Sequence, residues 1–412
     1  MKNSRLTAFD IIYDILKNGA YSNIAVEKGL TEVEAKDKAF VSRLVYGVTE
    51  RKITLDYFVN KFLNSKTKPK VRFLLYLGAY QILFMDKVPD AVAVYETVEL
   101  ADLIGLSYYK KLINAVLHKI IDNKNELEDT EDWSIKFSCP SHLINMWKKM
   151  YGEEKTLSIL KVVNNRPPVF AIPNRKFVDE GELQYEFLDA GVDCEIYNDV
   201  VKINSSFDLS SIKAFKDGLF YIEDFSSYSC AKALDCTNGE TVLDICAAPG
   251  GKTFTMAQSG ANVYAFDLHK HRVDLIKKSA ERLEFYNIKT AVNDALVYNE
   301  KIPFADKILC DVPCSGFGII RRKPEIRYKN LDDIKALPQI QYDILNTSSK
   351  YLKVNGRIIY STCTLNKKEN EKVVEKFLQN NGNFKLLNEV TVFPSESGGD
   401  GFFYALMEKI ND

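Results

Sequence analysis

The chain has 412 residues, 46% of them hydrophobic and 27% charged. That make-up is ordinary for a soluble globular protein, excludes a disordered or fibrous chain, and at about 150 residues per domain predicts two or three domains. Lys and Arg number 55 against 56 Asp and Glu, for a net charge of −1, so a uniformly basic coat is excluded while local basic faces are not. The first 125 residues carry 19 basic and 14 acidic side chains, and the remainder 36 and 42.

From the N-terminus, Met1-Lys2-Asn3-Ser4-Arg5 leads directly into a helical pattern. No signal peptide is read there, and no apolar run reaches the roughly 18 residues of a membrane span, so a cytoplasmic location is expected. Leu6, Phe9, Ile12 or Tyr13, and Leu16 recur at helical spacing, and Gly19 ends the run. Thr31-Glu32-Val33-Glu34 reads as a capping box before Phe40, Leu44 and Val45. Val71 to Met85 is strongly apolar and helical. Pro89-Asp90 opens a helix through Val94, Val98 and Leu103 that Gly105 closes, and Leu112 to Ile121 completes an all-α bundle over residues 1–125.

Residues 126–235 read as linker helices and a small α+β connector. Arg166-Pro167-Pro168 is a breaker, Val169–Ile172, Val200–Ile203 and Leu219–Ile222 are strand-like, and Glu180–Ala190 is helix-like. Over 236–412 strands and helices alternate. Thr241–Ile245, Val263–Asp267, Ile288–Val292, Lys307–Cys310 and Arg357–Tyr360 are strands, with a helix from about Ile334 to Leu352. This rhythm predicts a parallel, doubly wound, Rossmann-like α/β sheet, whose ligands bind beyond the carboxyl ends of the strands.

The first such end is Leu243-Asp244-Ile245-Cys246-Ala247-Ala248-Pro249-Gly250-Gly251-Lys252-Thr253, a strand running into a glycine turn and a helix. It is not a dinucleotide fingerprint, and it is not a phosphate-binding Walker A loop, because Cys246 stands where that loop needs its first Gly. Asp267 ends the next strand 17 residues after Gly250, where a carboxylate can accept both hydroxyls of a ribose. Asp294 ends the third, in reach of an adenine amino group. A nucleoside without phosphates fits this series, and S-adenosyl-L-methionine is the expected cofactor of a class I methyltransferase sheet. The eight cysteines lack Cys-x-x-Cys spacing and only four histidines exist, so no metal is expected.

Two further strand ends carry thiols: Asp311-Val312-Pro313-Cys314-Ser315-Gly316 and Tyr360-Ser361-Thr362-Cys363-Thr364. Methyltransferases that act on exocyclic amines often have an aromatic residue where Cys314 stands, so amine methylation is disfavoured. Cys310, inside its strand, serves as the core control. Carbon 5 of cytosine is a poor nucleophile, but adding a thiolate to C6 makes C5 an enamine carbon that can attack a sulfonium methyl group. One thiol adds; the other assists proton removal and release. Asp311 is read as a hydrogen-bond partner of N3. A helix expected from Asn366-Lys367-Lys368-Glu369 would place its positive end near Cys363 and favour the thiolate. Beyond Cys314, Ile319 to Lys329 holds five basic residues and one acid among eleven. Arg321, Arg322, Lys323 and Arg327 are therefore read as RNA phosphate contacts, with Tyr328 as a stacking residue.

Together these motifs resemble the RNA 5-methylcytosine methyltransferases of the Nol1/Nop2/Sun family. The likeness runs from about Phe137 to the end. It includes Asn164-Asn165-Arg166-Pro167-Pro168, Glu223-Asp224 with Ser226-Ser227, both cysteine motifs and Asp400-Gly401-Phe402-Phe403. The resemblance implies that Cys363 is the nucleophile, that Cys314 helps release the product, and that Cys246, Ala247, Ala248, Pro249, Gly250, Gly251 and Lys252, with Asp267, Arg272, Asp294 and Asp311, surround the methyl donor. Whether Lys252 serves donor or base stays open. The N-terminal bundle is similar to the RNA-binding factor NusB, through Val45-Tyr46-Gly47, Val88-Pro89-Asp90 to Thr97-Val98-Glu99-Leu100, and Asn114-Ala115-Val116-Leu117. That fusion implies a bacterial 16S rRNA substrate, naked or in early assembly; a monomer is expected. The alternatives are the same chemistry on tRNA or 23S rRNA, or a non-catalytic RNA-binding assembly factor. Val312 and Thr364 stand where Ala and Ser are usual, which are small changes. His118 stands where Arg is common and is read as a surface helix residue.

Overall fold

In the computed structural model, described for residues 3–63, 66–205, 211–395 and 398–412, the apolar spacing of the first third comes out as helices. Asn3 caps the first of them, its side chain accepting from the backbone N–H groups of Arg5 and Leu6, and Gly19 closes it; Met1 and Lys2 lie outside the described residues. Helices Lys38–Glu50, Lys52–Phe62, Asp90–Leu103 and Lys110–Asp122 follow, around Pro69–Phe84, in which every residue from Phe73 to Ile82 is buried. His118 lies exposed on its helix, as read. Thr31 corrects the capping-box reading. It follows the helix Ser22–Leu30 and its hydroxyl donates to the Lys28 carbonyl, whereas a true capping box forms at Asp179 and Glu182.

The chain divides into two compact units, Met1–Asn165 with Ile320–Lys329, and Arg166–Ile319 with Asn330–Asp412. The first unit runs past residue 125 and takes in helices read as a linker. A polar stretch resembles a domain break in composition, yet Thr54 Oγ1 donates to the Ile135 carbonyl at 2.5 Å and Ile53 N–H donates to Ser138 Oγ at 3.1 Å. Those bonds fasten Trp133–Phe137 and its cap residue Ser138 to the bundle.

Ile320–Lys329 is the larger correction. Arg327 is fully buried. Its guanidinium donates to the carbonyls of Glu50 at 3.0 Å, Ser138 at 2.9 Å and Val163 at 3.3 Å, and to Asn164 Oδ1 at 2.8 Å. Tyr328 donates its hydroxyl to the Thr49 carbonyl, and Glu325 accepts from the first N–H of the Ser22–Leu30 helix, where a carboxylate meets the positive helix end. Arg321 is buried as well. Arg321 and Arg327 therefore leave the set of phosphate contacts, and Tyr328 is no free stacking ring; Arg322 and Lys323 are half-buried.

The second unit contains two sheets. β1 (Val169–Pro173), β2 (Cys194–Tyr197), β3 (Val200–Ile203) and β4 (Phe220–Ile222) form an antiparallel sheet in the order β2-β3-β1-β4. Asn174 ties it to its neighbours, donating to the Gly218 and Leu283 carbonyls at 2.9 Å. The second sheet contains β5 (Thr241–Asp244), β6 (Asn262–Asp267), β7 (Ile288–Val292), β8 (Ala305–Asp311), β9 (Leu352–Thr362), β10 (Phe384–Val392) and β11 (Phe402–Lys409), in the order β10-β11-β9-β8-β5-β6-β7. Its β9-β8-β5-β6-β7 portion is parallel, but β11 runs antiparallel to β9 and to β10, so the sheet is mixed. β10 eluded the pattern because it is an edge strand of mostly exposed residues with a bulge between Leu386 and Asn388. Strand order reverses between β5 and β8, which opens a crevice at the carboxyl ends.

Replacing Arg327 by Ala leaves three buried carbonyls and a side-chain oxygen without their donor. Unfolding free energy should fall by about 3 kcal/mol or more, and Lys, a single point charge, should not restore it. Urea denaturation of both variants checks this; an unchanged midpoint contradicts it.

Candidate active site

The loop after β5 turns where Gly250 adopts φ 111, a left-handed conformation that an L side chain would strain. Arg272 holds that loop against β6, donating to the Ala248 carbonyl at 2.9 Å while pairing with Asp267 at 3.3 Å. Asp267 is buried, and its other oxygen accepts from His269 N–H. Asp294 is exposed beyond β7, with Oδ1 accepting from Leu296 N–H. Asp244, at the end of β5, accepts from Thr253 through Oδ2, while its buried Oδ1 has no partner among the described residues. Burial lifts the Asp244 carboxyl to about 7.

Lys252, at the start of the following helix, pairs with Asp311 at 2.8 Å. Ser361 donates to the other Asp311 oxygen at 2.9 Å, as the register Asp311↔Ser361 between β8 and β9 dictates. Burial opposes the Lys252 charge, but Asp311 and Glu223 outweigh it and hold the ammonium well above its ordinary range. The Phe402 ring lies 5.2 Å from its nitrogen.

The same register places Cys314 and Cys363 just beyond paired strand ends. Their sulfurs stand 3.1 Å apart, both thiols free and half-buried. The hydrogen bond with Cys363 and burial hold the Cys314 thiol well above the usual range. Burial pushes Cys310 up to about 12 and Cys246 well above the thiol range; Cys310 is core, as read. The loops after β8 and β9 are stitched together: Gly318 N–H donates to the Cys363 carbonyl at 3.0 Å, Ser315 Oγ and Thr364 Oγ1 lie 2.7 Å apart, and Gly401 N–H donates to the Gly318 carbonyl at 3.0 Å. A Cβ on Gly318 would meet the Gly401 carbonyl at 2.0 Å, so only glycine fits. Asp224 and Ser226 hold the neighbouring Asp400 through its N–H and carbonyl.

A 16S rRNA methyltransferase RsmB/F family model matches residues 231–408, and a NusB family model matches residues 2–122. A Bacillus subtilis protein named probable ribosomal RNA small subunit methyltransferase B is 34% identical over 98% of both chains. The ribosomal RNA small subunit methyltransferase B of Escherichia coli K12 is 30% identical over 99% of both. The chain belongs to the RsmB/F family of 16S rRNA methyltransferases. Among solved structures, that of PH0851 is 26% identical with a TM-score of 0.83 over 99% of both chains. A methyltransferase homolog protein from Pyrococcus horikoshii, also 26% identical, has a TM-score of 0.60 over 68% of this chain and 98% of its own.

In this RsmB/F protein the sequence-assigned Cys314 and Cys363 stand together and Asp311 pairs with Lys252 and acts on the Cys314 thiol, while Arg272 joins Ala248 of the loop after β5 to Asp267. Three contributors were missed. Ser361 lay inside a motif whose cysteine drew the attention. Glu223 lay in a motif given no role. Glu369 lay in a stretch read as a helix start, whereas the helix begins at Glu371, and its cap residue Asn370 bonds Thr362 and Thr364 on either side of Cys363. Among the described residues no helix is long and apolar enough to cross a membrane.

Glu223 is buried, accepts from Ser227 at 2.8 Å and Thr255 at 2.9 Å, and burial lifts its carboxyl from an ordinary 4.5 to about 7. The folded state therefore keeps a proton that the unfolded chain loses. The stability tied to it is present below about pH 4.5 and lost as pH rises to about 7. Glu223→Gln, whose two hydroxyl partners can rotate to suit an amide, should gain about 2 kcal/mol relative to the unchanged protein between about pH 5 and pH 8. Denaturation at the two pH values measures this; a pH-independent difference contradicts it.

Proposed function

We propose that this protein transfers a methyl group from S-adenosyl-L-methionine to C5 of a cytosine in 16S rRNA through a temporary bond between Cys363 and C6. The 3.1 Å approach of the two sulfurs beside the Lys252–Asp311 pair carries the reading. In it, the loop Cys246–Lys252, with Asp267, Arg272, Asp294 and Asp311, holds the donor. The buried Oδ1 of Asp244, without a partner among the described residues, supports a polar ligand group beside that loop. Bound there, the donor supplies an electrophilic methyl group on a sulfonium.

Cys363 adds as the thiolate, with the shared proton on Cys314. Electron density pushed onto N3 takes a proton from Lys252 by way of Asp311, which accepts from Lys252 and Ser361 already. C5 then takes the methyl group, and N3 hands its proton back to the pair. Once Cys363 sulfur is a thioether, Cys314 has lost the neighbour that kept its proton on, and gives that proton to water. As thiolate, Cys314 removes the C5 proton while the Cys363 sulfur departs with its electron pair. The cycle ends with the thiol on Cys314 and the thiolate on Cys363, one proton having left for each methyl transferred. Arg322 and Lys323 are assigned to phosphates of the RNA, and the NusB-like bundle to RNA outside the pocket. The protein is assigned to the cytoplasm as a monomer acting on naked or early-assembly RNA, with the target base unpaired or flipped.

Cys363→Ala should abolish methyl transfer, and normal turnover refutes the nucleophile. Cys314→Ala should accumulate a covalent protein–RNA adduct resolved on denaturing gels; product release at the ordinary rate without adduct refutes its role. Mapping 5-methylcytosine in 16S rRNA from cells with and without the protein should show one site lost. Loss confined to tRNA or 23S rRNA, or absence of donor binding, overturns the substrate or the enzymatic reading respectively.

A further inference from the structure

The turn before the Glu371–Asn380 helix grips both cysteine loops with two successive side chains. Glu369 is fully buried. Its Oε2 accepts from Ser315 N–H at 2.8 Å and from Gln341 Nε2 at 3.0 Å, and its Oε1 accepts from Asn366 Nδ2 at 2.8 Å. Gln341, fully buried in the helix Leu337–Ser349, also donates to the Pro313 carbonyl at 3.0 Å. The peptide groups on both sides of Cys314 are thus held by one carboxylate–amide couple. The next residue, Asn370, treats Cys363 alike: its Oδ1 accepts from Thr362 Oγ1 at 2.6 Å and its Nδ2 donates to the Thr364 carbonyl at 2.9 Å.

We propose that Glu369 is a positioning residue for product release, fixing the Cys314 loop through Ser315 and Gln341 so that the Cys314 sulfur faces the atom from which it takes a proton. The proposal rests on the release role assigned to Cys314. The three donors on Glu369 are neutral amides. A carboxylate can accept from all three, which an amide side chain cannot, and its charge, costly to bury, has a second use. It stands, with Cys363 and Asp311, among the groups that act on Cys314, and it helps keep the proton on that thiol. Glutamine at 369 keeps the shape, removes the charge, and turns an amide N–H toward a donor.

The test uses the full-length protein, a 16S rRNA transcript and S-adenosylmethionine, comparing the unchanged chain with Cys314→Ala, Glu369→Gln and Gln341→Met. Glu369→Gln should bind the donor with unchanged Kd, form the RNA adduct, and release product roughly tenfold more slowly. The pH at which its release is half-maximal should fall, because removing a negative charge eases proton loss from Cys314. Gln341→Met should slow release with that midpoint unmoved. Release by Glu369→Gln at the ordinary rate and midpoint overturns the assignment, as does loss of donor binding in Glu369→Gln alongside ordinary release in Gln341→Met. If the unchanged chain makes no 5-methylcytosine and Cys314→Ala no adduct, the functional reading itself fails. If those two behave as expected and only Glu369→Gln is unaffected, the positioning role alone fails.

Discussion

Two sulfurs 3.1 Å apart can share one proton but cannot comfortably carry two charges. That single restriction sets up the division of labour in the pocket. In the proposed reaction, the sulfur that bonds to the base is removed from the electrostatic balance, and the remaining thiol then becomes easier to deprotonate. The rest of the sheet unit serves to keep that spacing: the β8–β9 register, the glycine contact between residues 318 and 401, and the turn at residues 367–370.

Around the thiols the buried charges are unequal. Asp244 and Glu223 have carboxyls lifted to about 7 by burial, while Lys252 keeps its charge because Asp311 and Glu223 surround it. The result is one firmly held ammonium at the start of the helix that follows β5, paired with Asp311 at the end of β8. In the proposed reaction Lys252 serves the base through Asp311.

Motif positions were legible because chemistry at strand ends leaves rigid signatures: a thiol after a β-rich run, a carboxylate after the next. The parallel strands could be read from buried apolar runs such as Thr241–Ile245. What failed to read was whatever depends on distant partners. Arg327 looks like a phosphate contact in a basic stretch, and only the fold reveals that its fork satisfies three carbonyls and an amide oxygen. Glu369 reads as one more charge near a helix start, and its hydrogen bonds reach back to residues 315 and 341. β10 carries no alternation because it is an exposed edge. Thr31 matched a capping pattern that the backbone uses for the end of a helix instead.

The most direct measurement is to offer the protein RNA containing 5-fluorocytidine, whose fluorine cannot leave as a proton does, and to locate the trapped nucleotide by peptide mass spectrometry. The account predicts the modification on the peptide bearing Cys363, dependent on S-adenosylmethionine for the methylated adduct. A nucleotide attached to Cys314 instead, or no trapped species while ordinary RNA is still methylated, would contradict it.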